Sequence, residues 1–133
     1  MTQENKELLL KDLCARLPHG VCYKHFTWDD ECGEGCIAAQ IYSINIDGYV
    51  KNCYDDEIVY IDDVRPYLFP ISSMTDEQKD EYHNTCNIGL NRWGDESYYA
   101  TDESIDWLNA HHFDYRRLIE KGLAIDATGK NIY

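Results

Sequence analysis

Two prolines four residues apart, Pro66 and Pro70, constrain what this chain can fold into more than any other pair. Each removes a backbone donor and pushes the residue before it toward extended geometry. They lie within the stretch 57–82, EIVYIDDVRPYLFPISSMTDEQKDEY, which passes from a strand-like run through a corner into a helix. Ile58, Val59, Tyr60 and Ile61 are β-branched or aromatic, the composition that suits a pleated, half-buried surface. The segment 65–69 is read as an edge or crossing piece, because prolines are excluded from the middle of a ladder. Beyond it, Thr75 and Gln78 have the spacing of a capping box, and Asp76 and Glu77 put acids at the positive end of a helix dipole. Together these signals predict a helix over 76–85.

Upstream, residues 4–17 have a helical period. Leu9, Leu13 and Leu17 recur every four positions and Leu10 and Cys14 widen the stripe, until Pro18 and Gly20 stop it. Residues 21–28 read as a first strand and 37–46 as a second, separated by the acidic, glycine-bearing loop 29–36. Neither face of the second strand is cleanly polar, which predicts a sheet covered in part on both sides. Asp47-Gly48 has the composition of a type I′ hairpin turn. It returns the chain as a third strand over 49–53, and 58–61 supplies a fourth.

Downstream, 87–100 is aromatic and unpatterned and reads as a connecting loop. Thr101 or Asp102 caps a helix running to about His111, and Asp114 caps a last helix that Gly122 ends. Residues 123–133 read as a docked tail or late strand. The fold class expected is α+β: an N-terminal helix, a small antiparallel sheet of about four strands, barrel-like in curl, and two to three C-terminal helices. One domain is expected over 1–133.

Charge excludes one class of partner. Twenty-five acids against 12 bases leave a formal charge of −13, and that field repels the phosphates on which nucleic-acid binding depends. A protein partner is expected instead; the sequence does not fix the oligomeric state. No apolar run reaches the roughly 18 residues that span a bilayer, and the N-terminus lacks the basic and apolar regions of a signal peptide. A cytoplasmic location is therefore expected, with no membrane association. Its six cysteines, Cys14, Cys22, Cys32, Cys36, Cys53 and Cys86, then read as reduced thiols.

The sharpest constellation is Cys32-Gly-Glu-Gly-Cys36, which Cys22 and Cys53 on flanking strands could complete as a tetrahedral thiolate site, with His25 a further donor. The spacing offers no second close pair, so free thiols are the expectation. His111-His112 is the second candidate; neighbours on a helix face different directions, and Trp107, one turn before His111, suggests packing instead. The clusters Asp29-Asp30-Glu31, Asp55-Asp56-Glu57 and Asp62-Asp63 read as solvated loop charge, able at most to attract a divalent cation weakly. No nucleophile elbow, phosphate-binding loop or zinc-protease helix is present. Sequence alone therefore assigns no catalytic, cofactor-binding or metal residue and no cofactor.

Three stretches resemble segments of a family of short hypothetical proteins from gut-dwelling bacteria: 8–18 (LLLKDLCARLP), 64–75 (VRPYLFPISSMT) and 106–124 (DWLNAHHFDYRRLIEKGLA). The resemblance implies a mobile-element or prophage setting and carries no activity. The function expected is an acidic, non-enzymatic protein-interaction module, an accessory protein of a phage or mobile element. Two alternatives stay open. One is an acidic mimic of nucleic acid that inhibits a basic protein; the other is a zinc-binding protein or small enzyme using the Cys22–Cys53 region.

Overall fold

In the computed structural model the described residues are 1–29, 33–55, 57–90 and 92–133, with side chains described outside 27–35. The fold is α+β. Helix α1 (Gln3–Arg16) starts where the Thr2 hydroxyl accepts the Asn5 amide, and it buries Leu9 and Leu13 against the sheet. The same face buries two charged residues, Asp12 and Arg16, while Cys14 stays exposed. Leucine periodicity found the buried direction but hid the charge within it.

Strands β1 (Cys22–Asp29), β2 (Gly33–Ile44), β3 (Tyr49–Asn52) and β4 (Ile58–Tyr60) form the expected antiparallel meander in sequence order. The first two strands extend to Asp29 and from Gly33, so much of the expected 29–36 loop is strand; residues 30–32, Cys32 among them, lie outside the described set. Only one face of β2 is covered. Ala39 and Ile41 are buried, whereas Ala38, Gln40 and Tyr42 face out, which corrects the expectation of a two-sided sheet. A bulge between Ile41 and Ser43 shifts the register against β3 by one residue. That shift returns Ile44 to the core side, and it is why strict alternation in the sequence looked blurred.

The β2–β3 turn is a three-residue loop rather than a type I′ turn. Gly48 donates to the Asn45 carbonyl at 2.9 Å, and Asn45 donates to the Tyr49 carbonyl at 2.8 Å. Gly48 takes φ +91° while Asp47 does not enter the left-handed region. The arrangement fits a type I turn closed by a left-handed glycine. A side chain at Gly48 would press on Ile61 at 3.1 Å, so the position also needs to be small.

After the 3-10 turn Ile61–Asp63 the chain crosses back to β1. Lys24 donates to the Arg65 carbonyl at 3.1 Å and Tyr23 bridges Pro66, so the free edge of β1 is covered and the meander curls into a half-barrel. Strand β5 (Tyr67–Pro70) then does what its prolines argued against: it is the centre of a second sheet. Parallel partners flank it, β8 (Phe113–Asp114) on one side and β9 (Ile125–Asp126) on the other. The prolines survive there because they stand at the two ends of the run. Phe69 donates to His112, while the carbonyls of Pro66 and Leu68 accept from Ile125 and Ala127. No proline amide is required.

Helix α2 (Asp76–Thr85) forms over the expected residues with its capping box intact. Residues 87–100, expected as a loop, instead hold the hairpin β6 (Asn87–Leu90) and β7 (Glu96–Tyr99). Helix α3 (Asp102–Ala110) is capped by Thr101, with Ser104 closing the box. The last expected helix is absent: 115–124 is a series of turns, and Asp114 spends its carboxylate on the amides of Leu118 and Ile119 at 2.9 Å each. The cap was real; its helix was not. Gly122 adopts the expected left-handed conformation at φ +73°.

A buried charge network ties α1 to this C-terminal region. Arg16 donates to Asp12 from Nε at 2.8 Å and from Nη2 at 3.2 Å, and Nη2 also reaches the Phe113 carbonyl at 2.6 Å. Arg116 donates to the same Asp12 carboxylate at 3.2 Å. Removing one member of a buried pair strands the other charge in a low-dielectric interior. Asp12→Ala should cost about 3–5 kcal/mol by urea unfolding, whereas the double replacement Asp12→Leu/Arg16→Met should cost less than that single change.

Candidate functional site

The described cysteines do not converge. Cys22 on β1 lies opposite Gln40, and Cys36 on β2 lies opposite Phe26, four ladder steps away; at about 3.3 Å per residue that is about 13 Å along the sheet. Cys53 is close to Cys22, and burial together with this neighbour pushes the Cys22 thiol up, away from the thiolate a metal needs. The Cys22 thiol lies within weak hydrogen-bonding distance of the Gly20 carbonyl, at 3.6 Å. Cys32 lies outside the described residues.

His25 belongs to a different cluster. Its ring is buried, with only 3% of the side chain exposed. Asn52 donates to the Tyr23 hydroxyl at 2.9 Å, and that hydroxyl lies 3.0 Å from His25 Nδ1. His25 Nε2 lies 3.0 Å from Asp55 Oδ2 and 3.6 Å from Glu57 Oε2. The Asp55 carboxylate can only accept, so in the neutral ring Nε2 carries the proton and Nδ1 accepts from Tyr23. The hydrogen bond from His25, with those from Glu57 and Asn52, holds the Asp55 carboxyl below its ordinary range. Three strands build the cluster: β1 supplies Tyr23 and His25, β3 ends in Asn52, and the approach to β4 supplies Asp55 and Glu57. A cavity of about 270 Å³ opens beside it, lined in part by His25, Phe26 and Glu57. Sequence reasoning set His25 beside the cysteines and read Asp55 and Glu57 as solvated charge; the meander brings those two acids alongside its ring.

The two adjacent histidines part company as expected. His111 stacks on Trp107 at 4.0 Å and its Nδ1 lies 2.8 Å from the Trp107 carbonyl. His112 takes φ +61° and turns to stack on Tyr133 at 3.7 Å, with Nδ1 buried and lacking a protein partner. Burial, helped by the positive charges of Arg16, His19 and His111, pushes its pKa down to about 4. The Tyr133 hydroxyl accepts from the Cys22 amide and donates to the Tyr67 carbonyl, each at 2.8 Å, and burial raises the pKa of its phenol.

The third feature is the β6–β7 hairpin, a two-stranded sheet of its own. Leu90 and Trp93 are 69% and 71% exposed, and Ile88, Tyr98 and Tyr99 are at least half as open. Tyr98 holds the hairpin to α2 by stacking on His83 at 4.0 Å, nearly parallel. Tyr99 lies across Gly89 so closely that a Cβ there would sit 2.6 Å from its ring. Beside the hairpin, α2 exposes Asp76, Glu77, Asp80 and Glu81, and α3, packed against it, exposes Asp102, Glu103 and Asp106. On each helix the i, i+4 acids (Asp76/Asp80 and Glu77/Glu81; Asp102/Asp106) share one side, so each helix carries its own acidic face.

No protein-family model, curated protein or solved structure matches the chain. Among the described residues no helix is long and apolar enough to cross a membrane.

The His112 environment fixes a pH dependence. A histidine whose folded pKa lies near 4, against about 6.5 unfolded, binds fewer protons when folded, so stability falls as pH drops through that window. His112→Asn keeps a residue that tolerates the left-handed backbone. Urea unfolding of the wild type should lose up to about 3 kcal/mol between pH 7 and 4 through this residue, and the variant's profile should be flatter by that amount.

Proposed function

We propose that this chain is a protein-interaction module that docks a basic protein through the β6–β7 hairpin and the acidic helix faces beside it. One observation carries the reading: a hairpin with large apolar side chains turned outward, whose two outer edges have no ladder partner among the described residues. A two-stranded sheet is marginal by itself, and exposed apolar patches on monomers mark interaction sites. Addition of a partner strand to an open edge would supply both missing hydrogen bonds and cover for Leu90. The carboxylates of α2 and α3, on a chain carrying −13, would steer a cationic surface onto that edge. An accessory role in a mobile element is compatible with such a module and rests on the resemblance alone.

The acidic helix faces also support a second reading, in which the chain takes the place of nucleic acid on its basic partner. Competition separates the two: duplex DNA in excess displaces a mimic from the partner and leaves a simple docking module bound.

The double variant Leu90→Ser/Trp93→Ala should retain the fold, since both side chains are open to solvent. Affinity capture with the wild type should recover a basic protein whose direct binding weakens about tenfold or more in this variant and falls as salt rises. Equal binding by variant and wild type, measured by calorimetry on the purified pair, would reject the hairpin as the docking surface.

A further inference from the structure

The geometry points to a binding site for one divalent first-row transition ion, with zinc as the expected occupant, formed by His25 Nε2 and the carboxylates of Asp55 and Glu57. Among the described residues this is the group of three metal-ligating side chains whose donor atoms all lie within 4.8 Å of one another. Metal bonds of about 2.0–2.2 Å in a tetrahedron place donors about 3.3–3.6 Å apart. The observed separations from Nε2, 3.0 Å to Asp55 and 3.6 Å to Glu57, lie close to that edge length, and the two carboxylates lie within 4.8 Å of each other, so the exposed Glu57 side chain swings inward to close the set.

The surroundings are those of a ligand ring held in place. Metal-binding imidazoles have their second nitrogen oriented by a hydrogen-bonding partner, and here Tyr23 fills that role from the core at 3.0 Å. An ion on Nε2 requires the ring proton to reside on Nδ1. Tyr23 can accommodate this, because a hydroxyl both donates and accepts. Asp55 is positioned independently by Asn52 Nδ2 at 3.3 Å and the Glu57 amide at 3.0 Å. Glu57, 63% exposed, is the movable donor that closes the set.

One nitrogen and two carboxylate oxygens suit zinc or manganese over calcium, which takes six to eight oxygens. Three protein donors leave a coordination position toward the adjoining cavity, as in zinc sites that take water or substrate. This site is separate from the hairpin and stands whether or not docking occurs there.

The test is calorimetric titration of Zn²⁺ into chelator-stripped full chain under reducing conditions, with Ca²⁺ and Mg²⁺ run alongside. One Zn²⁺ per chain is expected, with Glu57→Gln and Asp55→Asn each weakening it about tenfold or more and Cys22→Ser/Cys53→Ser leaving it unchanged. Glu57→Gln alters an exposed side chain, so its fold is retained and its result stands even if Asp55→Asn destabilises the chain. The assignment is overturned by the lack of saturable binding, by wild-type affinity in Glu57→Gln, or by loss of binding in the cysteine variant.

Discussion

The Asp12–Arg16 pair is the constraint on which the rest of the architecture depends. Both side chains are fully buried; all their polar atoms except Arg16 Nη1 find protein partners, and those partners come from opposite ends of the sequence. The Phe113 carbonyl and Arg116 converge on the pair, while Tyr115 lies beneath both guanidinium groups, at 5.3 Å from Arg16 and 4.8 Å from Arg116. Cost and specificity arise together. A buried ion pair adds little net stability over an apolar substitute, yet through the Phe113 carbonyl it fastens α1 to β8, one of the two strands that make β5 central.

The two sheets therefore divide the work. The meander carries the apolar core shared with α1 and the final turns, with Val21, Tyr23, Ile41 and Val50 facing Leu9 and Leu13. The parallel sheet joins the meander to a second cluster, built on Trp107, Leu108 and Phe113. The β6–β7 hairpin reaches the second cluster through Tyr98, which stacks on His83 beside Tyr82, and the His25 group is tied to the main core through Tyr23.

Signals carried by neighbours in sequence were legible. Thr75 with Gln78 set the start of α2, Gly122 marked the left-handed turn near the C-terminus, and the order of the four meander strands followed from β-branched runs and turn residues. Signals requiring distant neighbours were not. A proline-bounded strand reads as an edge unless one knows that two-residue strands 44 and 58 positions later supply its partners. Asp114 has the chemistry of a helix cap and is used on the amides of a turn instead. The hairpin at 87–99 was missed because its outward residues are apolar, which erases the alternation that identifies a half-buried strand. His25 was noticed, but its carboxylates are about thirty residues away and adjacent to nothing that marks them.

The reach of the buried charge network has a consequence for synthesis. Arg116 stands 104 residues beyond Asp12, an interval of about 5–20 s at ordinary elongation rates. Throughout that time the nascent helix carries leucines and the Asp12–Arg16 pair on one side, without the Phe113 carbonyl and the Arg116 guanidinium that receive the pair in the fold. The leucines favour early collapse onto the meander, while the solvated pair resists it. The final seating of α1, with Asp12 and Arg16 buried against residues 113–116, therefore cannot precede the synthesis of those residues.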